Sequence, residues 1–363
     1  MSWTFLKRAV IYTLVLRLFF VLSAGVVARV ALKETGTFLD ALTLTGDRWD
    51  VQNYERIATL GAYDASHNQG GDLVFFPLYP LLVNRLMGLG LGFYWTAVLL
   101  SIVTQVTAGY LLQRLVALDY PEPLSRRAVA AFYLFPTAYF LMVPYTEGLF
   151  MTLVLGSLLA AREHEWAWAG AAAFGASLCR LVGVGLFPAL LWEAWQARAG
   201  RRAVAWSLLC PLGLAGYLAV NWVCTGHPFY FMWAQENLFH YQSEWPWVTP
   251  WQQLRKIVLS PPNPDAWAIG MPHLIGHLAS YAVPMWLWVR KIRPSYQVFC
   301  WIALIPATLS LFSPSLLRYL LPAFPIYMLA AAASDEIYLP WLGLSTLLMG
   351  AMSVEYLVGY WAN

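Results

Sequence analysis

The chain of 363 residues is 60% apolar and only 11% charged, whereas soluble globular chains carry about 25% charged residues, so a water-facing surface cannot be built from it. No polar stretch of about 100 residues exists that would fold as a separate aqueous domain, which leaves one membrane domain over residues 1–363. The net charge of +3 implies no nucleic-acid partner; in a membrane protein the placement of Lys and Arg carries the information.

A membrane-crossing helix needs about 20 apolar residues, and somewhat fewer beside a buried cavity. On that measure the chain is predicted to be an all-α polytopic membrane protein with about eleven spans. They cover residues 8–32, 92–117, 125–142, 146–162, 166–180, 181–197, 203–224, 272–290, 296–312, 316–333 and 338–361. The first run follows Lys7-Arg8 as in a signal peptide, but it extends to Leu32 and contains Arg17 and Arg29, so it reads as a retained span. Arg17 is expected to face the helix bundle. Residues 166–197 read as a short helical hairpin, because one merged span would carry Arg198, Arg201 and Arg202 to the opposite face.

With the N-terminus in the cytoplasm, Lys7, Arg8, Arg114, Arg126, Arg127, Arg162, Arg198, Arg201, Arg202, Arg290, Lys291 and Arg293 fall on the cytoplasmic side. That is more than half of the 22 basic residues, as the positive-inside bias requires. Arg180 and Arg318 fall beside short outer turns and break the rule. The same assignment leaves residues 33–91 and 225–271 outside. Both are rich in aromatics and proline, as in Phe75-Phe76-Pro77-Leu78-Tyr79-Pro80 and Trp245-Pro246-Trp247, which suits amphipathic helices lying at the headgroup level. No repeat of fixed period is present, which weighs against a transporter built from recognisable halves.

The most informative stretch runs from Asp47 to Gly61 in the first outer segment. At about 100° per residue, Trp49, Val51, Tyr54, Ile57, Ala58, Leu60 and Gly61 share one arc, and Gln52, Glu55, Arg56 and Thr59 the opposite one. This predicts an amphipathic interfacial helix with Asp50 near the middle of its apolar arc. A buried carboxylate is costly unless paired or put to chemical use, and desolvation would raise its pKa towards the range of a general base. Asp50 is therefore the first catalytic candidate and Asp47 the second. The alternative is that Asp47 caps the helix while Asp50 steadies its first turn through the helix dipole.

Other polar groups fall on the same side. Glu147 lies at the outer turn Pro144-Tyr145-Thr146-Glu147-Gly148, Arg180 at the next outer turn, and Arg318 at the opening of the tenth span. An ionisable residue at a span boundary needs a partner or a polar cavity. The two guanidiniums could grip a phosphate bidentately, or snorkel or pair structurally. His227 and His240 share the second outer segment with Gln235 and Glu236, at a spacing that matches no usual metal site. His273 and His277 stand at i, i+4 without an adjoining glutamate, and all four histidines read as turn or interfacial residues. Cys179, Cys210, Cys224 and Cys300 are scattered and read as packing thiols.

Five elements then occur in order. They are Arg48-Trp49-Asp50 with Tyr54, Ile57-Ala58, Gly61 and Tyr63; Phe75 to Pro80; Pro144-Tyr145-Thr146-Glu147 with Leu149-Phe150; Ala176-Ser177-Leu178 with Arg180 and Gly183; and Arg318-Tyr319 with Leu321 and Ala323-Phe324-Pro325. From about residue 47 to 325 the series resembles the PIG-V-like mannosyltransferases, multispanning enzymes of GT-C type named for the second mannosyltransferase of glycosylphosphatidylinositol-anchor synthesis.

The resemblance implies a GT-C glycosyltransferase fold whose first outer loop holds amphipathic helices. It also implies a polyprenyl- or dolichyl-phosphate sugar donor and a glycolipid or glycan acceptor on the non-cytoplasmic face. The acidic base of such enzymes lies in the first outer loop and maps to Asp50, with Asp47 second. Topology assigns the departing phosphate to Arg318 and Arg180, and Tyr54, Tyr145, Glu147, Tyr319, Gln235 and His227 to substrate binding. No cofactor is expected: Asp47 and Asp50 could ligate a divalent metal, but a third acidic ligand is missing. The compact chain points to a prokaryotic plasma membrane rather than the endoplasmic reticulum. Two alternatives stand beside this: a flippase for lipid-linked sugars, and a non-catalytic membrane subunit that positions another enzyme.

Overall fold

A computed structural model describes residues 2–33, 37–241, 244–259, 264–309 and 316–359. The ends of two predicted spans, 310–312 and 360–361, lie outside these residues, as do 34–36, 242–243 and 260–263 of the two predicted outer segments. Among the described residues every regular element is helical. The chain opens with α1 (Ser2–Val30), followed by α2 (Phe38–Gly46), α3 (Asp50–Leu60) and α4 (Leu78–Met87), then α5 (Phe93–Ala117), α6 (Glu122–Tyr133), α7 (Glu147–Arg162), α8 (Trp166–Cys179) and α9 (Leu186–Gln196). After α10 (Gly200–Ser207) and α11 (Leu209–Thr225) come α12 (Tyr230–Asn237), α13 (Val248–Leu259), α14 (Pro264–Val289), α15 (Pro294–Leu309), α16 (Pro325–Ala331) and α17 (Asp335–Val358).

Among the described residues, four helical stretches are long and apolar enough to cross a membrane: Trp3–Val30, Phe93–Ala117, Gly200–Thr225 and Asp335–Val358. Other predicted spans are interrupted, and proline supplies the reason. The predicted span 125–142 ends as a helix at Tyr133, ahead of Pro136, continues as a 3-10 turn at Ala138–Leu141, and passes Pro144 before α7 begins. A proline has no N–H to give and disfavours helix in the residue before it. Likewise the predicted span 316–333 divides at Pro322 and Pro325 into a 3-10 turn, Leu316–Leu320, and the short α16. The predicted break at Arg180 is present, with that residue extended between α8 and a 3-10 turn.

At the centre, α5 packs against α1, α6 and α7, while α8 packs against α7 and α11. Small residues permit this: a Cβ on Gly213 of α11 would collide with the Phe174 carbonyl and Ser177 hydroxyl of α8. Irregular backbone at such depth is tolerated only when its polar groups find partners. The segment 33–91 meets that demand with side chains. Tyr63 and Tyr217 donate to the Phe75 and Leu73 carbonyls, both at 2.6 Å, and Asn84 to the Ala58 carbonyl at 2.7 Å. Buried Asp72 receives the Arg56 guanidinium, with Nε at 2.8 Å. Helix α3 is thereby held on α4 and the bundle.

Candidate functional site

The turn into α3 sets the site. Asp47 terminates α2, its N–H donating to the Thr43 carbonyl at 2.8 Å, and does not cap α3. Instead Trp49 precedes α3 at φ 55°, a conformation that costs a non-glycine residue about 1–3 kcal/mol, and makes no side-chain cap. Asp50 is the first helical residue. The predicted apolar arc is buried at Val51, Tyr54, Ile57 and Ala58. Trp49 and Leu60 depart from it, remaining 40% and 58% exposed, because they sit at the helix ends where the period no longer fixes direction.

Asp50 faces a guanidinium. Its Oδ2 accepts from Nη1 of Arg318 at 2.8 Å, across 268 positions of sequence, and the carboxylate keeps 24% of its side-chain exposure. Arg318 comes from the 3-10 turn between α15 and α16, and its Nε donates to Oε1 of Glu147 at the start of α7. The same Oε1 accepts from Nη1 of Arg180, which also donates to Thr146 Oγ1 at 3.1 Å. Four regions of the chain thus deliver two carboxylates and two guanidiniums into one connected group, balanced in charge. Glu147 is fully buried; unpaired it would be very costly, and the two cations make its burial tolerable.

Aromatic rings close the group. The Arg318 guanidinium lies 4.8 Å from the Phe140 ring centroid and 4.6 Å from that of Tyr145, within cation-π range. Tyr54 packs edge-on against Phe75, Tyr79 and Tyr145. Burial, with the Asp50 charge nearby, holds the Tyr54 phenol well above its ordinary range, so it stays protonated. Phe140 carries no mark in the sequence: it lies inside an apolar run that reads as span, and only the break after Tyr133 turns it towards Arg318.

The group is not saturated: Oε2 of Glu147 and the nearby hydroxyl of Tyr79 are buried with no hydrogen-bond partner among the described residues. Arg318 uses Nε and Nη1, and Arg180 uses Nη1, which leaves Nη2 of the first and Nε and Nη2 of the second without a protein partner among the described residues. Such an arrangement can take up an anion on its guanidinium edges beside a carboxylate able to accept a proton.

Other predicted site residues lie elsewhere. Asp47 lines a separate cleft of about 660 Å³ with Asp40, Arg48, Gln52 and Glu55. Burial pushes the Asp47 carboxyl up against the pull of Arg48, and burial together with Asp47 pushes Glu55 up. Among the described residues no three His, Cys, Asp or Glu side chains gather as a metal site would require. Tyr319 is half-buried beside Arg318 but makes no hydrogen bond or ring contact within the group. Gln235 on α12 does not join it, and exposed His227 borders another cavity, of about 410 Å³, with Phe229 and Trp233. His273 and His277, expected at a turn or interface, are buried within α14, because their face packs on the 3-10 turn that carries Arg318. No family model, curated protein or solved structure matches the chain.

Proposed function

We propose that this protein is an inverting GT-C glycosyltransferase of about eleven spans. In this reading it transfers a sugar, mannose by the sequence resemblance, from a polyprenyl-phosphate donor to a glycolipid or glycan acceptor on the non-cytoplasmic face. Asp50 takes the proton of the acceptor hydroxyl as that oxygen bonds to the anomeric carbon. The bond from this carbon to the phosphate oxygen breaks, and polyprenyl phosphate leaves with the electron pair. Arg318 through Nη2 and Arg180 through Nε and Nη2 meet the charge that develops on the phosphate, as fixed donors do for departing anions. Glu147 keeps both cations in position without consuming those edges, and Tyr54 and Tyr145 pack around the group.

One observation carries this reading: Asp50 stands 2.8 Å from a guanidinium that is clamped from behind by buried Glu147. A carboxylate and a guanidinium edge with no protein partner among the described residues thus stand side by side, which supports the assignment of base and anion site. The test is transfer by purified protein given polyprenyl-phosphate mannose and candidate lipid acceptors. Asp50→Asn should reduce turnover about 10²–10⁴-fold, the usual contribution of a general base, with little change in thermal stability. Undiminished turnover in that variant would remove Asp50 as the base. Movement of intact donor across a liposome bilayer, with no cleavage, would favour a flippase instead.

A further inference from the structure

The stretch between α6 and α7, which Pro136 and Pro144 break from regular helix, holds the two rings that flank Arg318. Arg17, from the middle of α1, braces its far end. Its Nη1 donates to the Met142 carbonyl and its Nη2 to the Leu141 carbonyl, both at 3.1 Å, at the end of the 3-10 turn Ala138–Leu141. Two groups on α5 aim the guanidinium: Gln105 Oε1 accepts from Nε at 3.0 Å and Ser101 Oγ from Nη2 at 2.8 Å. Carbonyls released by a helix break inside a membrane protein must be satisfied by neighbours, and a cation suits the negative end of a helical turn.

Every partner of Arg17 is neutral; among the described residues no carboxylate pairs with it. A full charge is costly to place in a span and marks function by default. A neutral donor such as Gln would present an amide to one carbonyl, whereas the planar guanidinium fork reaches both carbonyls and both α5 acceptors together. The neighbouring residue on the clamped stretch is Phe140, and Tyr145 follows three residues after Met142. These are the two rings against Arg318.

Resting on the glycosyltransferase reading above, we infer that Arg17 is a positioning residue for the donor phosphate: by clamping the Leu141 and Met142 carbonyls it sets the Phe140–Tyr145 cradle that aims the Arg318 guanidinium. It touches neither donor nor acceptor.

A double-mutant cycle tests this, with a polyprenyl phosphate as probe and native mass spectrometry of the full chain as readout. Arg318→Gln and Arg17→Gln should each weaken binding about tenfold, and the double variant should be no weaker than Arg318→Gln alone, because residues acting through one group are not additive. Arg17→Lys should fail to restore binding, since an ammonium keeps the charge but loses the fork. Normal binding by Arg17→Gln, multiplication of the two effects, or rescue by Lys would each overturn the inference. Should Arg17→Gln not fold, Gln105→Leu, which removes one aiming acceptor, replaces it in the cycle with an expected loss of about threefold. If Arg318→Gln binds the probe normally, the phosphate site itself falls, and the positioning role falls with it; a defect in Arg318→Gln alone leaves the site and removes only Arg17.

Discussion

Buried carboxylates in this molecule differ in what their pairing leaves open. Around Glu193, both oxygens are occupied: Arg293 donates through Nε at 2.5 Å and Nη2 at 2.7 Å, and Ser295 adds a hydroxyl at 2.5 Å. Nearby, Arg162 grips both oxygens of Asp119 at 2.7 and 2.8 Å and the Tyr296 hydroxyl at 2.6 Å. On the carboxylate side both are closed, and they tie α9 to the start of α15, and the end of α7 to Asp119 beyond α5. Around Glu147, by contrast, one carboxylate oxygen is buried with no hydrogen-bond partner among the described residues. Closed pairing accounts for itself as architecture. In the proposed function, the incompletely paired group is the one that meets the donor phosphate.

The contrast can be broken by neutralising one acid in each group. Glu147 and Glu193 are 0% and 1% exposed, so Glu147→Gln should cost about 3–5 kcal/mol of stability by weakening the hold on buried Arg318, and Glu193→Gln less, because Arg293 keeps 25% of its side-chain exposure. Only Glu147→Gln should abolish sugar transfer per folded molecule; Glu193→Gln should leave it near the parent rate, as read by turnover normalised to correctly folded protein. Equal loss in both would make the two groups alike. A smaller effect is expected from Arg318→Lys. The ammonium keeps the charge but cannot span Asp50, Glu147 and a phosphate with one planar fork, so turnover should drop about 10–100-fold while helical content by circular dichroism is unchanged.

Smaller still is the effect at the Asp47 cleft, which shares a turn with Asp50 but not its pairing. Burial raises the Asp47 and Glu55 carboxyls above their ordinary range, so the folded chain binds these protons more tightly than the unfolded chain does. The resulting stabilisation is present below the ordinary carboxylate range near pH ~4 and is lost as pH rises through the raised values. Asp47→Asn should therefore lift the thermal midpoint by about a degree or two at pH 7 and leave it unmoved at pH 4. A lowered midpoint at pH 7 would show that Asp47 is held by attraction to Arg48 instead.

How far this was legible in the sequence depends on range. The period of residues 51–58 marks the buried face of α3, and with it the odd placement of Asp50, because a local repeat fixes direction. Arg180 and Arg318 are visible as charges against the positive-inside bias. Their common partner Glu147 is visible only as an acid at a turn. That the three meet Asp50 depends on contacts spanning up to 268 positions, which no local pattern encodes. Apolar composition also conceals breaks: residues 125–142 and 316–333 read as continuous spans, yet Pro136, Pro144, Pro322 and Pro325 divide them. Those divisions free Phe140 and Arg318 from regular helix. The capping role considered for Asp47 failed because it depends on where α2 ends, a boundary set by the Thr43 carbonyl contact rather than by residue type.

Density for a polyprenyl phosphate bound to the protein in lipid nanodiscs would test the central proposal most directly. The account predicts its phosphate against Nη2 of Arg318 and the free edge of Arg180, with the neighbouring space open towards Asp50. A phosphate bound away from both guanidiniums, with the Asp50, Glu147, Arg180 and Arg318 group facing only protein, would contradict it.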